Sequence, residues 1–203
     1  MKRLVIIGAS GHGKVIADIA VRNGYEDIVF LDDDDRIHEC AGFPVIGKAN
    51  MITDMDGDVI VAIGNASIRE RIQESIQSQK RVKLATLIHP NAVISRRVEI
   101  GAGSVVMAGA VINSDVVIGK GCIINTGASV DHDCKVEAFA HISVGTHVAG
   151  TCCIGQRTWV GAGAVVSNNV NICGDCMIGV GAVVIRNIEE SGTYVGSPAR
   201  MIR

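Results

Sequence analysis

In the stretch VDHDCKVEAFAHISVG, Val130 to Gly145, two histidines stand nine residues apart and the first is followed by a carboxylate. An imidazole beside an acid has the makings of a general base, because the acid can orient the ring and raise its basicity. The same residue types also serve as metal ligands or as solvated surface groups. Which of these His132 and His141 are depends on the element that carries them.

That element is a repeat. From Ile88 to Val184, Ile or Val occupies every sixth position, seventeen times without an insertion. The residue four places later is usually small, as at Ala92, Ser104, Ala110, Cys122 and Ala128. A period of six suits neither a helix nor a simple strand, but it suits a hexapeptide β-helix whose coils bury one continuous core. The pattern resembles the left-handed β-helix of the hexapeptide-repeat acyltransferases. That resemblance implies three six-residue faces, and so eighteen residues per coil and between five and six coils.

If the aliphatic and the small residue point inward, His132 is third in its hexad and His141 sixth in its own, and neither faces the core. Gly150 follows His132 by one coil, where a backbone N–H can approach the imidazole unhindered by a Cβ. A base beside an N–H donor can serve acyl transfer, with Asp133 orienting the ring. Asn125 and Ser143 lie on nearby coils. The spacings of His132, His141 and His147 do not gather three imidazoles on one patch, so no metal site is expected. The seven cysteines show no disulfide framework, and Cys134 and Cys152, eighteen apart, are expected to stack in a reduced core.

Residues 1 to about 85 read differently, as apolar strands alternating with helical patterns. LVIIG, DIVFLDDDD and DVIVAIGN are expected strands. Val15, Ile16, Ile19 and Ala20 form a helical stripe stopped by Gly24, and Ser67 with Glu70 resembles a capping box ahead of Ile68, Ile72 and Ile76. Strand–helix–strand order implies a small parallel sheet with right-handed crossovers. The fold class is thus an α/β Rossmann-like module, 1–85, followed by an all-β left-handed parallel β-helix, 86–203. The composition agrees: 48% hydrophobic but only 3% aromatic, with 24 glycines, calls for a core of Val, Ile and Ala.

GASGHG, Gly8 to Gly13, joins a strand to a helix, where backbone N–H groups can hold a diphosphate, and Asp32 and Asp33 follow at the ribose-binding distance of a Rossmann fold. The spacing is G-x-x-G-x-G rather than the dinucleotide fingerprint, and a second mononucleotide half is lacking. A nucleotide-linked substrate therefore fits better than a dinucleotide cofactor. Net charge of −2 without a Lys/Arg cluster argues against nucleic acid, and no apolar run nears the roughly 20 residues of a membrane span. A cytoplasmic protein is expected.

Together, IIGASGHGKV, FLDDD, VAIGN with its following IR, LIHPNAVIS, INTGASVDHDCKVEAFAHISVG and YVGSPAR resemble the family of sugar O- and N-acetyltransferases that includes the UDP-4-amino-sugar N-acetyltransferases of the bacillosamine type and the sialic acid O-acetyltransferases. The resemblance implies a homotrimer using acetyl-CoA as donor and a UDP-linked amino sugar as acceptor, with no metal. It matches His132 to the base, here with Asp133 where the bacillosamine enzymes often carry Glu, and Gly150 to the oxyanion donor. It places Asn125 near the acceptor amine; His141, Gly161, Ala162, Gly179 and Val180 on acetyl-CoA; and Ser10, Gly11, His12, Asp32, Asp33 and Gly64 on the nucleotide. It also sets Arg200 as a candidate contact for a CoA phosphate. The expected reaction is direct N-acetylation of a C4 amine, with O-acetylation of a sialic acid or related sugar as the alternative. A non-catalytic scaffold would have no need of the His132–Asp133 pair with Gly150 one coil away, and an oxidoreductase would need a nicotinamide on the glycine loop.

Overall fold

The computed structural model describes residues 2–77 and 81–202, and the chain divides into two compact units, Met1–Pro90 and Asn91–Arg203. The division falls five residues beyond the expected boundary, so the strand Leu87–Ile88, which opens the run of hexads, is counted with the first unit.

Among the described residues the first unit is a six-stranded sheet with two α-helices and a short 3-10 helix, Ala49–Asp54. Its strands are β1 (Arg3–Ile7), β2 (Asp27–Leu31), β3 (Glu39–Cys40), β4 (Phe43–Gly47), β5 (Gly57–Val61) and β6 (Val82–Leu84), in the order β3-β4-β2-β1-β5-β6. All neighbours are parallel except the short β3–β4 pair. β1 is buried from Leu4 to Ile7, as expected of a central parallel strand covered on both faces.

Helix α1 (Gly11–Arg22) buries Gly13, Ile16, Ala17, Ile19 and Ala20, whereas Val15 is 40% exposed, so the apolar stripe is rotated by one position. Gly24 ends it with φ +79° and an N–H bonded to Val21 O. Helix α2 (Ala66–Gln77) departs further from expectation. Its cap is Asn65, whose Oδ1 accepts the Ile68 N–H at 3.0 Å, not Ser67. Its buried residues are Arg69, Gln73 and Ile76, while Ile68 is exposed. The buried guanidinium of Arg69 explains the rotation: it donates to the carbonyls of Ile63 and Gly64, both at 2.8 Å, and so ties the helix to the strand exit.

The second unit is a left-handed parallel β-helix. Its two-residue strands stack in three parallel sheets, running from Val105–Val106 to Thr193–Val195, from Val93–Ile94 to Val183–Val184, and from Glu99–Ile100 to Asn171–Ile172. Each strand pairs with the one eighteen residues on, as in Val111↔Ser129, Ser129↔His147 and His147↔Val165. From Val106 to Val184 every hexad aliphatic is buried, together with the small residue four places later. Outward apolar residues are less uniform: Val117 is exposed, but Val105, at the same place in its hexad, is 2% exposed.

The corners explain the period. From residue 103 to 181 every sixth residue has φ between +57° and +74°, seven being glycines and the others Asp115, Asp133, Phe139, Thr151, Arg157, Asn169 and Asp175. A left-handed residue at each corner turns the chain, and Asp and Asn accept this conformation more readily than most. Beyond Val184 the register changes: Met177 pairs with Thr193 and Ile172 bridges Ile188, so the last coil closes two residues early.

Candidate active site

His132 sits at a corner, between the strands Ser129–Val130 and Lys135–Val136. Its side chain is exposed and its Nδ1 lies 2.7 Å from Asp133 Oδ2. Asp133 occupies the left-handed corner position, φ +57°, which folds its carboxylate back toward the preceding ring. A carboxylate only accepts, so the proton of a neutral His132 sits on Nδ1 and the lone pair on Nε2.

The backbone of His132 is braced as well. Its N–H donates to Asp131 Oδ1 at 2.8 Å, and the same oxygen accepts Asn113 Nδ2, one coil before, at 2.7 Å. The Asp133 hydrogen bond, and then the charge of Asp131, hold the imidazole above its usual basicity. The Asn113 amide and the His132 N–H keep Asp131 ionised by lowering its pKa.

Gly150 faces the ring from the next coil. A Cβ there would stand 2.6 Å from His132 Nε2 and 2.7 Å from Cε1, so the imidazole can rest where it does only because residue 150 is glycine. The Gly150 carbonyl accepts the Asn169 N–H; its own N–H has no acceptor among the described residues. Nε2 and a backbone donor thus share one corner.

His141 lies on the outer surface of a strand, half-buried. Its Nε2 is 3.1 Å from Asn125 Nδ2, and its ring stacks on Trp159 with centroids 6.2 Å apart and planes at 28°. Trp159 Nε1 donates to Ser143 Oγ. Asn125 and Ser143, expected near His132, are thus bonded to the second histidine and its aromatic neighbour. His147 faces outward and meets Ser129 Oγ at 2.8 Å. Gly161 and Gly179 follow the strands Trp159–Val160 and Met177–Ile178. The next residues are half-buried Ala162 and Val180, 76% exposed. With Val144, 50% exposed, these make an apolar corner column spaced by eighteen. Arg200 is exposed and donates to Ala199 O.

In the first unit, Ser10 precedes α1 without a side-chain cap bond, leaving the first-turn N–H groups of Gly11, His12 and Gly13 without intrahelical acceptors. A Cβ on Gly13 would fall 2.2 Å from Gly8 O, so the loop packs tightly under the helix. Asp32 is committed to this loop: Oδ2 accepts Ala9 N–H at 2.7 Å and Oδ1 accepts Asp34 N–H at 2.9 Å. Asp33 accepts Ala49 N–H, and Gly64 is exposed. His12 is half-buried, but its Nε2 is fully covered and without a partner among the described residues. Burial first, and the Arg69 charge second, push its pKa down to about 4. All seven cysteines are free; Cys152 N–H meets Cys134 Sγ at 3.3 Å, and Cys173 and Cys176 bring their sulfurs to 3.4 Å. Among the described residues no three His, Cys, Asp or Glu side chains are grouped to hold a metal ion.

Comparison with known proteins places this arrangement. Residues 3–76 match the family described as the PglD N-terminal domain. The whole chain superposes on the acetyltransferase domain of PglB from Neisseria gonorrhoeae with a TM-score of 0.96 and 40% identity, covering 100% of both chains. A mutant perosamine N-acetyltransferase from Caulobacter crescentus, solved with CoA and GDP-perosamine, matches with a TM-score of 0.93 and 35% identity over 99% of this chain and 97% of that one. The chain belongs to this acetyltransferase family. A UDP-N-acetylbacillosamine N-acetyltransferase from Bacillus subtilis is 36% identical over 114 residues, which are 53% of this chain and about half, 52%, of that protein.

Within the acetyltransferase, three contributors to these sites escape a reading of the sequence. Asp131 looks like one more surface acid until the eighteen-residue register sets it over Asn113. Trp159 looks like an isolated aromatic. The Asn125–His141 and Ser143–Trp159 contacts both span sixteen residues, one coil less two, and that offset was the available signal. Arg69 is the third, an arginine 1% exposed in the middle of a helix.

Proposed function

We propose that this acetyltransferase moves an acetyl group from acetyl-CoA directly to the C4 amine of a UDP-4-amino-6-deoxy-sugar, with His132 as general base. The observation that carries the reading is the corner itself: Asp133 keeps the His132 proton on Nδ1, and Nε2 lies against Gly150. His132 Nε2 accepts the amine proton as the nitrogen bonds to the acetyl carbon. The Gly150 N–H donates to the carbonyl oxygen as charge gathers there, and protonated His132 returns the proton to the departing sulfur. Among the described residues no serine or cysteine is bonded to His132, which supports transfer without a covalent enzyme intermediate.

The apolar column of Val144, Ala162 and Val180 suits the pantetheine arm of acetyl-CoA, beside His141, Gly161 and Gly179. The uncapped α1 start with Ser10, Gly11 and His12, and the Asp32, Asp33 and Gly64 rim, suit the nucleotide. Exposed Val93, Val117 and Val165, 64%, 41% and 39% accessible, support a homotrimer through the β-helix faces. Among the described residues no helix is long and apolar enough to cross a membrane. One observation favours a second reading of the acceptor: the Caulobacter relative was solved with GDP-perosamine, so a GDP-linked amino sugar is the nearest competitor.

The test is free-thiol release from acetyl-CoA with UDP-4-amino-6-deoxy-sugar, GDP-perosamine, CMP-sialic acid and free sialic acid. Release with the UDP sugar, reduced roughly 10²–10⁴-fold in kcat by His132→Ala, is the expected result. Preference for GDP-perosamine would change the nucleotide, activity on sialic acid alone would change the acceptor, and a fully active His132→Ala would remove the base.

A further inference from the structure

The hydrogen bonds around Asn125 determine the protonation of His141. Asn125 Oδ1 accepts the Thr126 N–H at 2.8 Å, which fixes which end of the amide is oxygen, since the flipped amide would set two donors face to face. The other end, Nδ2, is then the group 3.1 Å from His141 Nε2. An amide nitrogen can only donate, so Nε2 must accept, and an accepting Nε2 carries no proton. His141 is therefore neutral, with its single proton on Nδ1. Trp159 stacks on the ring and is itself tethered through Nε1 to Ser143 Oγ, which holds the plane of the imidazole.

We infer that Asn125 is a positioning residue that locks His141 as the neutral Nδ1–H tautomer, filling the Nε2 lone pair so that His141 supports acetyl-CoA binding without acting as a second base. The part that concerns acetyl-CoA rests on the function proposed above; the tautomer does not. The inference moves Asn125 from the acceptor amine to the acyl-donor side, since its amide is oriented by Thr126 and its Nδ2 is engaged with His141.

Long-range ¹H–¹⁵N correlation spectra of the ¹⁵N-labelled protein at neutral pH test this, with His141→Gln to assign the ring. The expected result is an unprotonated Nε2 and a protonated Nδ1 for His141. In Asn125→Asp, isosteric but able only to accept, His141 is expected to gain a proton on Nε2. A wild-type His141 protonated on Nε2, or a spectrum indifferent to Asn125→Asp, would overturn the inference. In the thiol-release assay Asn125→Asp should raise KM for acetyl-CoA by about 3- to 10-fold, the weight of one lost or reversed hydrogen bond, without moving the acid limb of kcat/KM set by His132. A rise in KM for the amino sugar alone would return Asn125 to the acceptor and also overturn it. If the wild type transfers no acetyl group, the proposed function fails, and the spectra still decide the tautomer.

Discussion

His132 and His141 are nine residues apart on the same β-helix, and each in its neutral form carries a proton on Nδ1, yet only one has a lone pair to offer. At the corner, Asp133 fixes the proton and Gly150 leaves Nε2 uncovered by any side chain. On the face, Asn125 occupies Nε2 and Trp159 covers the ring. The lesson is that a histidine's role here takes both its sequence neighbours and the next coil: Asp133 sets the His132 proton while Gly150 leaves Nε2 open, and residues sixteen and eighteen away occupy and cover His141. Corners, where the backbone turns and side chains splay, suit proton transfer. Faces, where side chains stack in columns, suit holding a ring in place.

The contrast can be broken most forcefully at Gly150. Gly150→Ala puts a methyl 2.6 Å from His132 Nε2, and the displaced ring should lower kcat by about 100-fold or more, while circular dichroism shows an intact fold. Asp133→Asn should come next, with kcat down on the order of 10- to 100-fold. It should also leave a signature in pH. Asp133 raises the His132 pKa, and a base works only when deprotonated, so activity is lost as pH falls through that raised value. Without the carboxylate the acid limb of kcat/KM should move to lower pH; an unmoved limb would mean that Asp133 does not tune the base.

On the face, Trp159→Leu should raise KM for acetyl-CoA about 2- to 10-fold, the weight of one aromatic stack, and leave the acid limb in place. A shifted limb would merge the two regions. His12 sharpens the comparison as a third case, a lone pair sealed from solvent. Its folded pKa of about 4 lies below the ordinary 6.5, so the unfolded chain takes up a proton first as pH falls. Stability should be complete above about 6.5 and decline toward pH 4, by at most roughly 3 kcal/mol. Urea melts of His12→Gln against pH should show a flatter profile over that window.

Much of this was legible because the hexad is a physical consequence of three flat faces. Once Ile or Val is placed inward every six residues, the outward position of His132 and the stacking of Gly150 follow. The conformation of Asp133 was less legible, since the left-handed corner falls on glycine only half the time, and beside Asp and Asn the position also holds Phe139, Thr151 and Arg157. The contacts of Asn125 and Ser143 were misplaced because eighteen-residue stacking finds columns, and side chains also reach diagonally. In α2 Ile76 is buried as its spacing suggests, but Ile68 is exposed and Arg69 takes the inward place, because burying Arg69 is tolerable only when Ile63 and Gly64 lend it carbonyls, and those lie before the helix begins.

The unbroken register from Val93 to Val184 also limits how such a chain can change in length. A whole added coil lengthens the prism by roughly 4.8 Å and leaves every face as it was. One residue gained or lost within a strand turns each later aliphatic outward, and slack can be absorbed only at a corner, as it is where the last coil closes early. His132 and Gly150 are therefore partners through a spacing that the chain can alter only in units of one coil, so their proximity is protected by the same core that makes the protein stable.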